Sequence, residues 1–267
     1  MRSLLSELAY RGEVFCSRVQ GIAYDRPSRN GEHLLVRRVS DTLRVAIDIG
    51  ANIGDWTAEV LRATRCRAQV VSVEPDPVNA RMLRTRFGQQ LNVQVLEAAV
   101  SDREGRVTFV TGATGSGNGY VDHEAAGPVE VVARTLQNIV IDLGDPEVDL
   151  VKCDVEGAEM AVLRGSEQLF RRSRISLMQV EYNATWQRGG QSLRDLFGFA
   201  EAYGYALFLA TPLGFARLPS YGVGLEDYRL RNIVLAREDS VHRLSPYGPA
   251  GRARVEHERS SRGDAAL

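Results

Sequence analysis

From Arg44 onward, short apolar runs rich in β-branched residues alternate with helical spacings. Val45 to Ile49 forms the first such run and Gln69 to Val73 the second. Between them, Trp56, Val60 and Ala63 fall at the i, i+4, i+7 spacing of an amphipathic helix. Asp76-Pro77 then offers an N-cap followed by proline at the first helical position, which predicts a second helix running to about Phe87. Val93 to Val100 reads as a third strand. Strand–helix–strand–helix–strand is the order of an α/β fold with a parallel sheet and right-handed crossovers.

The alternation breaks between Ser101 and Val132. Glu104-Gly105 turns into the short run RVTFV, and residues 112–127 then hold five glycines in sixteen positions. It resumes with Asp149–Cys153, a helix from about Glu159, a strand Ile175–Val180, a helix near Ser192–Tyr203 and a strand Tyr205–Leu209. A last strand, Asn232–Ala236, follows a loop rich in Pro, Gly and Tyr. Residues 1–40 read as an N-terminal helical arm packed on the main domain, 41–238 as that domain, and 239–267 as a poorly ordered tail with little apolar content.

Composition narrows the function classes. The chain has 267 residues, 33 basic against 34 acidic, and a formal net charge of −1. A dedicated nucleic-acid binder normally carries a basic excess, so nucleic acid is not the expected partner. No apolar run reaches the ~20 residues needed to span a bilayer. The first residues, broken by Glu7, Arg11 and Glu13, lack the apolar stretch of a signal peptide. Cys16, Cys66 and Cys153 are odd in number and lack CxxC spacing, which excludes a disulfide framework and suits a reducing compartment. A cytoplasmic protein is expected. One lysine, Lys152, stands among 33 basic residues. GC-rich coding explains the arginine bias, and a lone lysine against it can mark a place where guanidinium cannot replace a compact amine.

The most informative feature is positional. Four core strands end at or beside an acid: Asp48, Glu74, Asp154 and Glu181. In a parallel sheet those ends share one edge, where open α/β sheets bind their ligands. Carboxylates gathered there repel one another and resist desolvation, so they need cationic or hydroxyl-bearing partners. Gly50 and Gly54 bracket the first strand-to-helix turn, and the spacing is not the GxGxxG of dinucleotide enzymes. Asp48 adds a carboxylate suited to a cationic group, and Glu74 sits where an acid accepts hydrogen bonds from ribose hydroxyls. Together they describe a site for a ribose-bearing cofactor that is itself cationic, a description that S-adenosylmethionine fits.

These residues resemble a known family. DIGANIG (48–54) and VEP (73–75) are similar to the first two motifs of class I S-adenosylmethionine-dependent methyltransferases. VDLVKCDVEGAEMAVLRG (148–165) resembles the hallmark segment of FkbM-type methyltransferases, with AAVSD (98–102), RTL (134–136) and QVEYN (179–183) in matching places. The resemblance covers about residues 44–237. It implies a three-layer Rossmann-like methyltransferase fold with a mostly parallel seven-stranded sheet. It also implies methylation of hydroxyl groups on sugars, glycolipids or polyketide-type natural products. Carried over by position, Asp48, Gly50, Asn52 and Gly54 would frame the methionine end of the cofactor. Glu74 would bind the ribose, Pro75 and Asp76 would lie beside the adenine, and Ala99 and Val100 would line its pocket. Asp154, Glu156 and Glu181 would face the methyl-transfer site. Residues 112–128 and 212–231 carry no transferable assignment.

A hydroxyl is a poor nucleophile and needs a proton acceptor within hydrogen-bond reach. Asp154, Glu156 and Glu181 are the candidates, with Lys152 as an orienting cation or as the base itself. Lys152 and Asp154 share one face of their strand, and a lysine beside carboxylates stays protonated, which favours the orienting role. The three acids are hard oxygen ligands of the kind magnesium uses, but their grouping in sequence establishes no coordination geometry, and no bound metal is expected. His33, His123, His242 and His257 are scattered; His123, in the glycine-rich loop, could reach the site as a base if that loop folds over as a lid, but an exposed loop histidine is the favoured reading. Tyr221 and Tyr228 could wall a sugar pocket or simply pack, and Trp56 is expected in the core. The expected partner is a small-molecule, glycan or glycolipid acceptor. The rival readings are an inactive cofactor-binding assembly partner, a methyltransferase acting on nitrogen or carboxylate, and a nicotinamide oxidoreductase, which the GANIG turn disfavours. Oligomeric state is not legible.

Overall fold

The computed structural model describes residues 11–19, 26–110, 120–122 and 129–245. A short helix, α1 (residues 11–19), precedes α2 (Glu32–Val39). The alternating region follows as β1 (Val45–Ile49), α3 (Asp55–Thr64), β2 (Gln69–Glu74), α4 (Pro77–Phe87) and β3 (Val93–Glu97). Next come β4 (Ala99–Val100), β5 (Gly105–Val110), β6 (Tyr120–Asp122), β7 (Val129–Arg134) and α5 (Leu136–Asp142). The second half holds β8 (Val148–Cys153), α6 (Glu159–Arg164), α7 (Glu167–Arg171), β9 (Ile175–Tyr182), α8 (Leu193–Tyr203), β10 (Tyr205–Thr211), β11 (Gly214–Leu218) and β12 (Arg231–Arg237).

The main sheet runs β11-β10-β12-β9-β8-β1-β2-β3. Strands β3, β2, β1, β8 and β9 are mutually parallel, and β12, β10 and β11 join through antiparallel pairings. Helices cover both faces, because strands buried on both sides must be apolar on both. On one face Ala46, Val70, Leu150 and Leu177 pack under α2, α3 and α4 through Leu35, Val36, Val60 and Leu83. On the other, Ile47, Val71, Val151 and Met178 pack under α5 to α8 through Leu136, Ile139, Leu163 and Leu196. The α/β alternation expected from the sequence, and the three layers that the resemblance implies, are therefore present.

Three expectations need correction. The main sheet has eight strands rather than seven. The extra one, β11, lies within the stretch read as a loop, and it exists because Thr211 to Gly214 forms a tight turn. The Thr211 hydroxyl accepts the backbone N–H groups of Leu213 at 3.2 Å and Gly214 at 3.1 Å, folding β11 back along β10. Val93 to Val100 is not one strand. At Ala98 the neighbour β2 ends, and the Ala98 N–H bonds the Glu74 carbonyl at 3.2 Å. Beyond it β4 leaves the main sheet and pairs with β7, in a second sheet ordered β4-β7-β5-β6. Lastly, the packed chain continues past residue 238 as a 3-10 helix, Glu238–Leu244, because Leu244 is buried beside α2. Residues 246–267, and residues 111–119 and 123–128 of the glycine-rich stretch with His123, lie outside the described residues, as do the expectations placed on them.

Gly54 caps α3 with φ +87, a left-handed conformation that glycine adopts without strain. A Cβ there would overlap the Phe87 ring and lie 2.7 Å from the Leu83 methyl Cδ2. Gly54→Ala should therefore destabilise the fold by about 1–3 kcal/mol through overpacking and backbone strain. The urea-denaturation midpoint reads this directly; an unchanged midpoint would mean the α3–α4 contact yields freely.

Candidate active site

Facing α2 to α4, the parallel strands carry three successive rows of side chains, because alternate residues share a face. The first row is apolar: Val70, Ala46, Leu150 and Leu177. The second is polar: Ser72, Asp48, Lys152 and Gln179, paired strand to strand. The third, at the carboxyl edge, brings Glu74, Asp154 and Glu181 to a cavity of about 230 Å³. Its walls include Gly50, Asn52, Pro75, Asp76, Ala99, Val100, Lys152 and Glu156. Eleven of the thirteen site residues expected from sequence thus line one cavity.

Asp48 and Gly54 do not line it. Asp48 is fully buried beneath the floor, where its Oδ2 accepts the Thr57 hydroxyl at 2.7 Å, and Thr57 in turn meets Ser72 at 2.8 Å. The end of β1 places Asp48 one residue pair short of the edge. Gly54 serves the helix packing described above. Gly50 does line the cavity, at φ +77, but the space a Cβ would need is filled by the Asp154 carbonyl oxygen. The close approach that demands glycine is between two strand ends.

Glu74 anchors one end. Its Oε2 accepts the Asn52 N–H at 2.7 Å and its Oε1 the Asp76 N–H at 2.9 Å, so the carboxylate ties the β1 and β2 turns together. Asp76 caps α4 by accepting from Val78 and Asn79 N–H groups. Burial raises the Glu74 pKa to about 7, against these hydrogen bonds.

At the other end Lys152 Nζ donates to Asp154 Oδ2 at 2.9 Å. Burial alone would lower the lysine pKa, but Asp154, Glu32 and Asp48 override it and hold the ammonium charged well above its ordinary range. Glu156 is raised to about 7 by burial and then by the Asp154 charge, and Glu181 is raised well above the carboxylate range for the same two reasons. The loop carrying Asp154 and Glu156 is held by a residue that sequence reasoning did not assign. Glu159, almost fully buried, accepts the N–H groups of Val155 at 3.1 Å and Gly157 at 3.2 Å. Between those bonds Glu156 takes a left-handed φ of 53 that turns it toward the cavity. Asp154, Glu156 and Glu181 each place one oxygen within 4.8 Å of the others, a group that could accommodate a divalent cation.

Sequence reasoning also missed Pro27, Asn30 and Glu32, which reach the cavity from the N-terminal segment, and Phe109 from β5. No local pattern marks them. Trp56 is core as expected, but it also lines the cavity. His33 is half-buried against Glu59 at 4.0 Å, away from the cavity lining. Tyr228 stacks on Tyr182 at 5.7 Å and Tyr221 packs edge-on to Phe197 at 5.9 Å, so both serve packing and neither lines the cavity.

The residues present fit a ribose-bearing cation. Asn52 Oδ1, Trp56 Nε1 and Asn79 Oδ1 are buried atoms without a hydrogen-bond partner on residues that line the cavity, which a polar ligand would satisfy. Among the described residues, Glu32, Glu74, Asp154, Glu156 and Glu181 share the lining with one basic residue, Lys152, an imbalance suited to positive charge.

Comparison with known proteins agrees with this geometry. A family model described as the methyltransferase FkbM domain matches residues 48–207. The 2-O-methyltransferase NoeI of Sinorhizobium fredii is 29% identical over 148 residues, covering 49% of this chain and 60% of NoeI. The crystal structure of methyltransferase FkbM from Methylobacillus flagellatus superposes with a TM-score of 0.50 at 18% identity, covering 72% of this chain and 43% of that one. The chain thus spans under two thirds of either relative. Among the described residues no helix is long and apolar enough to cross a membrane.

The buried acids make stability depend on pH. Glu32, Glu74 and Glu156 are raised from 4.5 to about 7 and Glu159 to about 8, so the folded form keeps protons that the unfolded chain has released. Stability contributed this way is lost as pH rises. The thermal midpoint of the protein without ligand should fall between pH 5 and pH 7, and fall less steeply in Glu156→Gln. A rising or flat wild-type profile over that window would contradict the burial account.

Proposed function

The chain belongs to the FkbM methyltransferase domain family, and from that premise we propose that it is an S-adenosylmethionine-dependent O-methyltransferase. The acceptor would be a hydroxyl of a sugar, a glycolipid or a polyketide-type product. One observation carries this reading: a single cavity joins Glu74 at one end to the Asp154–Glu156–Glu181 group at the other. The description of NoeI as a 2-O-methyltransferase supports oxygen as the methylated atom.

When bound, the cofactor supplies an electrophilic methyl group on a positively charged sulfur. The chain's own residues do the rest. Glu74 accepts ribose hydroxyls, with Pro75, Asp76, Ala99 and Val100 around the base, while Gly50 and Asn52 meet the methionine end. Asp48 acts from beneath, by fixing Thr57 and contributing charge to Lys152. Lys152 holds Asp154 in place and stays protonated, so it orients and does not accept a proton.

Glu156 is the proton acceptor for the hydroxyl. Asp154 is engaged by the ammonium, while Asn183 donates to Glu181 Oε2 at 2.8 Å and also hydrogen-bonds Glu156. Glu156 pairs cavity access with a pKa of about 7, near where a general base works best, whereas burial and the Asp154 charge hold Glu181 well above the carboxylate range. A dry, preorganised site then favours transfer, because charge is neutralised as the new bond forms.

Calorimetric titration with S-adenosylmethionine, with NAD as control, tests the cofactor, and labelled methyl groups then report the acceptor. Glu74→Ala should weaken cofactor binding, and unchanged affinity would remove the ribose assignment. Glu156→Gln should lower kcat by about 10²-fold or more with cofactor affinity retained. In the wild type, kcat/KM should rise with pH through about 7, as Glu156 ionises. Equal loss of turnover and affinity would move Glu156 into the cofactor's binding shell.

A further inference from the structure

Glu32 lies on α2, outside the span matched by the family model, yet it lines the cavity and is only 4% exposed. The segment leading into α2 is shaped to deliver it. Asn30 Oδ1 accepts the Glu32 N–H at 3.1 Å, and Gly31 takes φ +92 where a Cβ would lie 2.7 Å from the backbone of Ala210 and Thr211 in β10. The carboxylate is received by β9, whose Gln179 Nε2 donates to Oε2 at 3.4 Å. Gln179 is itself fixed by Asn232 of β12 at 2.9 Å.

The charged groups around Glu32 are Lys152 and Asp154 at the end of β8, Asp48 on β1 and Glu181 on β9. One ammonium faces four carboxylates there, and Lys152 forms its ion pair with Asp154. Glu32 therefore adds a further carboxylate to the reactive end, where Lys152, the one cation among the described residues lining the cavity, is shared with Asp154 and Asp48. Ion pairs in a dry site gain far more than in water, so a ligand cation is favoured there and a neutral ligand of the same shape is not.

We propose that Glu32 is a specificity-determining residue that makes the site prefer the sulfonium of S-adenosylmethionine over the neutral thioether of S-adenosylhomocysteine. The inference rests on the cofactor reading above. Its consequence is directional: once the methyl group has left, sulfur is uncharged, the attraction disappears and the product is released more readily. Glu32 is raised to about 7 by burial, so cation binding draws it toward the ionised form and releases protons.

The test is calorimetric titration of the full chain and of Glu32→Gln with both ligands. The amide keeps the size of the side chain and removes only its charge. The variant should lose roughly tenfold in affinity for S-adenosylmethionine while S-adenosylhomocysteine stays within about twofold. Equal loss for both would make Glu32 merely structural and overturn the proposal. A second measurement needs no variant. In buffers of different ionisation enthalpy, wild-type protein should release more protons on binding S-adenosylmethionine than on binding S-adenosylhomocysteine. Equal release would also overturn it. Wild-type protein that binds neither ligand would sink the cofactor reading itself, and this inference with it.

Discussion

A single buried ammonium holds the carboxyl edge of this sheet together. Lys152 lies in a row of polar side chains laid across parallel strands, with Asp48 on one side, Gln179 on the other and Asp154 above. Removing one partner of a buried pair leaves an uncompensated charge, which typically costs about 3–5 kcal/mol. Without Lys152, the neighbouring acids could remain together only by taking up protons. Its cation therefore decides which of them stay ionised. In a chain whose other basic residues are all arginine, this position has kept lysine. A compact point charge fits between adjacent strands, where a planar guanidinium would need the room of its fork.

That cation acts on a loop whose shape is fixed independently. Glu159 gathers the N–H groups of Val155 and Gly157, and Gln191 binds the same loop from the far side, accepting from Met160 N–H at 2.9 Å and donating to the Gly157 carbonyl. Gly157 has φ +102 and a Cβ there would lie 2.6 Å from the Thr185 carbonyl oxygen, so no other residue fits without movement. Burial and the Asp154 charge thus set the protonation of Glu156, and backbone hydrogen bonds set where both acids stand. The resemblance of residues 148–165 to the family's hallmark segment becomes intelligible as the sequence that builds both.

What could be read from the sequence followed from how local each signal is. The parallel strands announce themselves because both faces are apolar, and the acids at their ends interrupt those runs at regular places. Asp76-Pro77 signals its helix within two residues, and the structure shows that cap. Strand β11 gave no such sign, since its formation depends on one hydroxyl in a turn and on the register of β10. The break at Ala98 depends on where a neighbouring strand ends, which the run Val93 to Val100 does not encode. Asp48 was assigned to the cofactor because it precedes the glycine turn. Counting strand register instead places it in the second row, one pair below the edge. Glu32 is the extreme case, lying 120 positions from Lys152 in the chain, and only the path of α2 over β10 and β12 brings the two together.

The same arrangement explains why a stable fold tolerates so costly an edge. Burial lifts Glu32, Glu74 and Glu156 into the neutral range, so without a ligand these groups hold protons or strain against one another. The hydrophobic layers above and below the sheet absorb that cost, because Leu150 and Leu177 are fully buried beside the polar row and Val151 is fully buried on the opposite face. A cation entering the cavity would relieve the repulsion, and a neutral ligand would leave it in place. On the proposed reading, folding and ligand choice draw on one set of charges. A substitution that relaxes the edge by removing an acid would be expected to strengthen the fold and weaken the site together, the trade-off found where function requires a strained cluster.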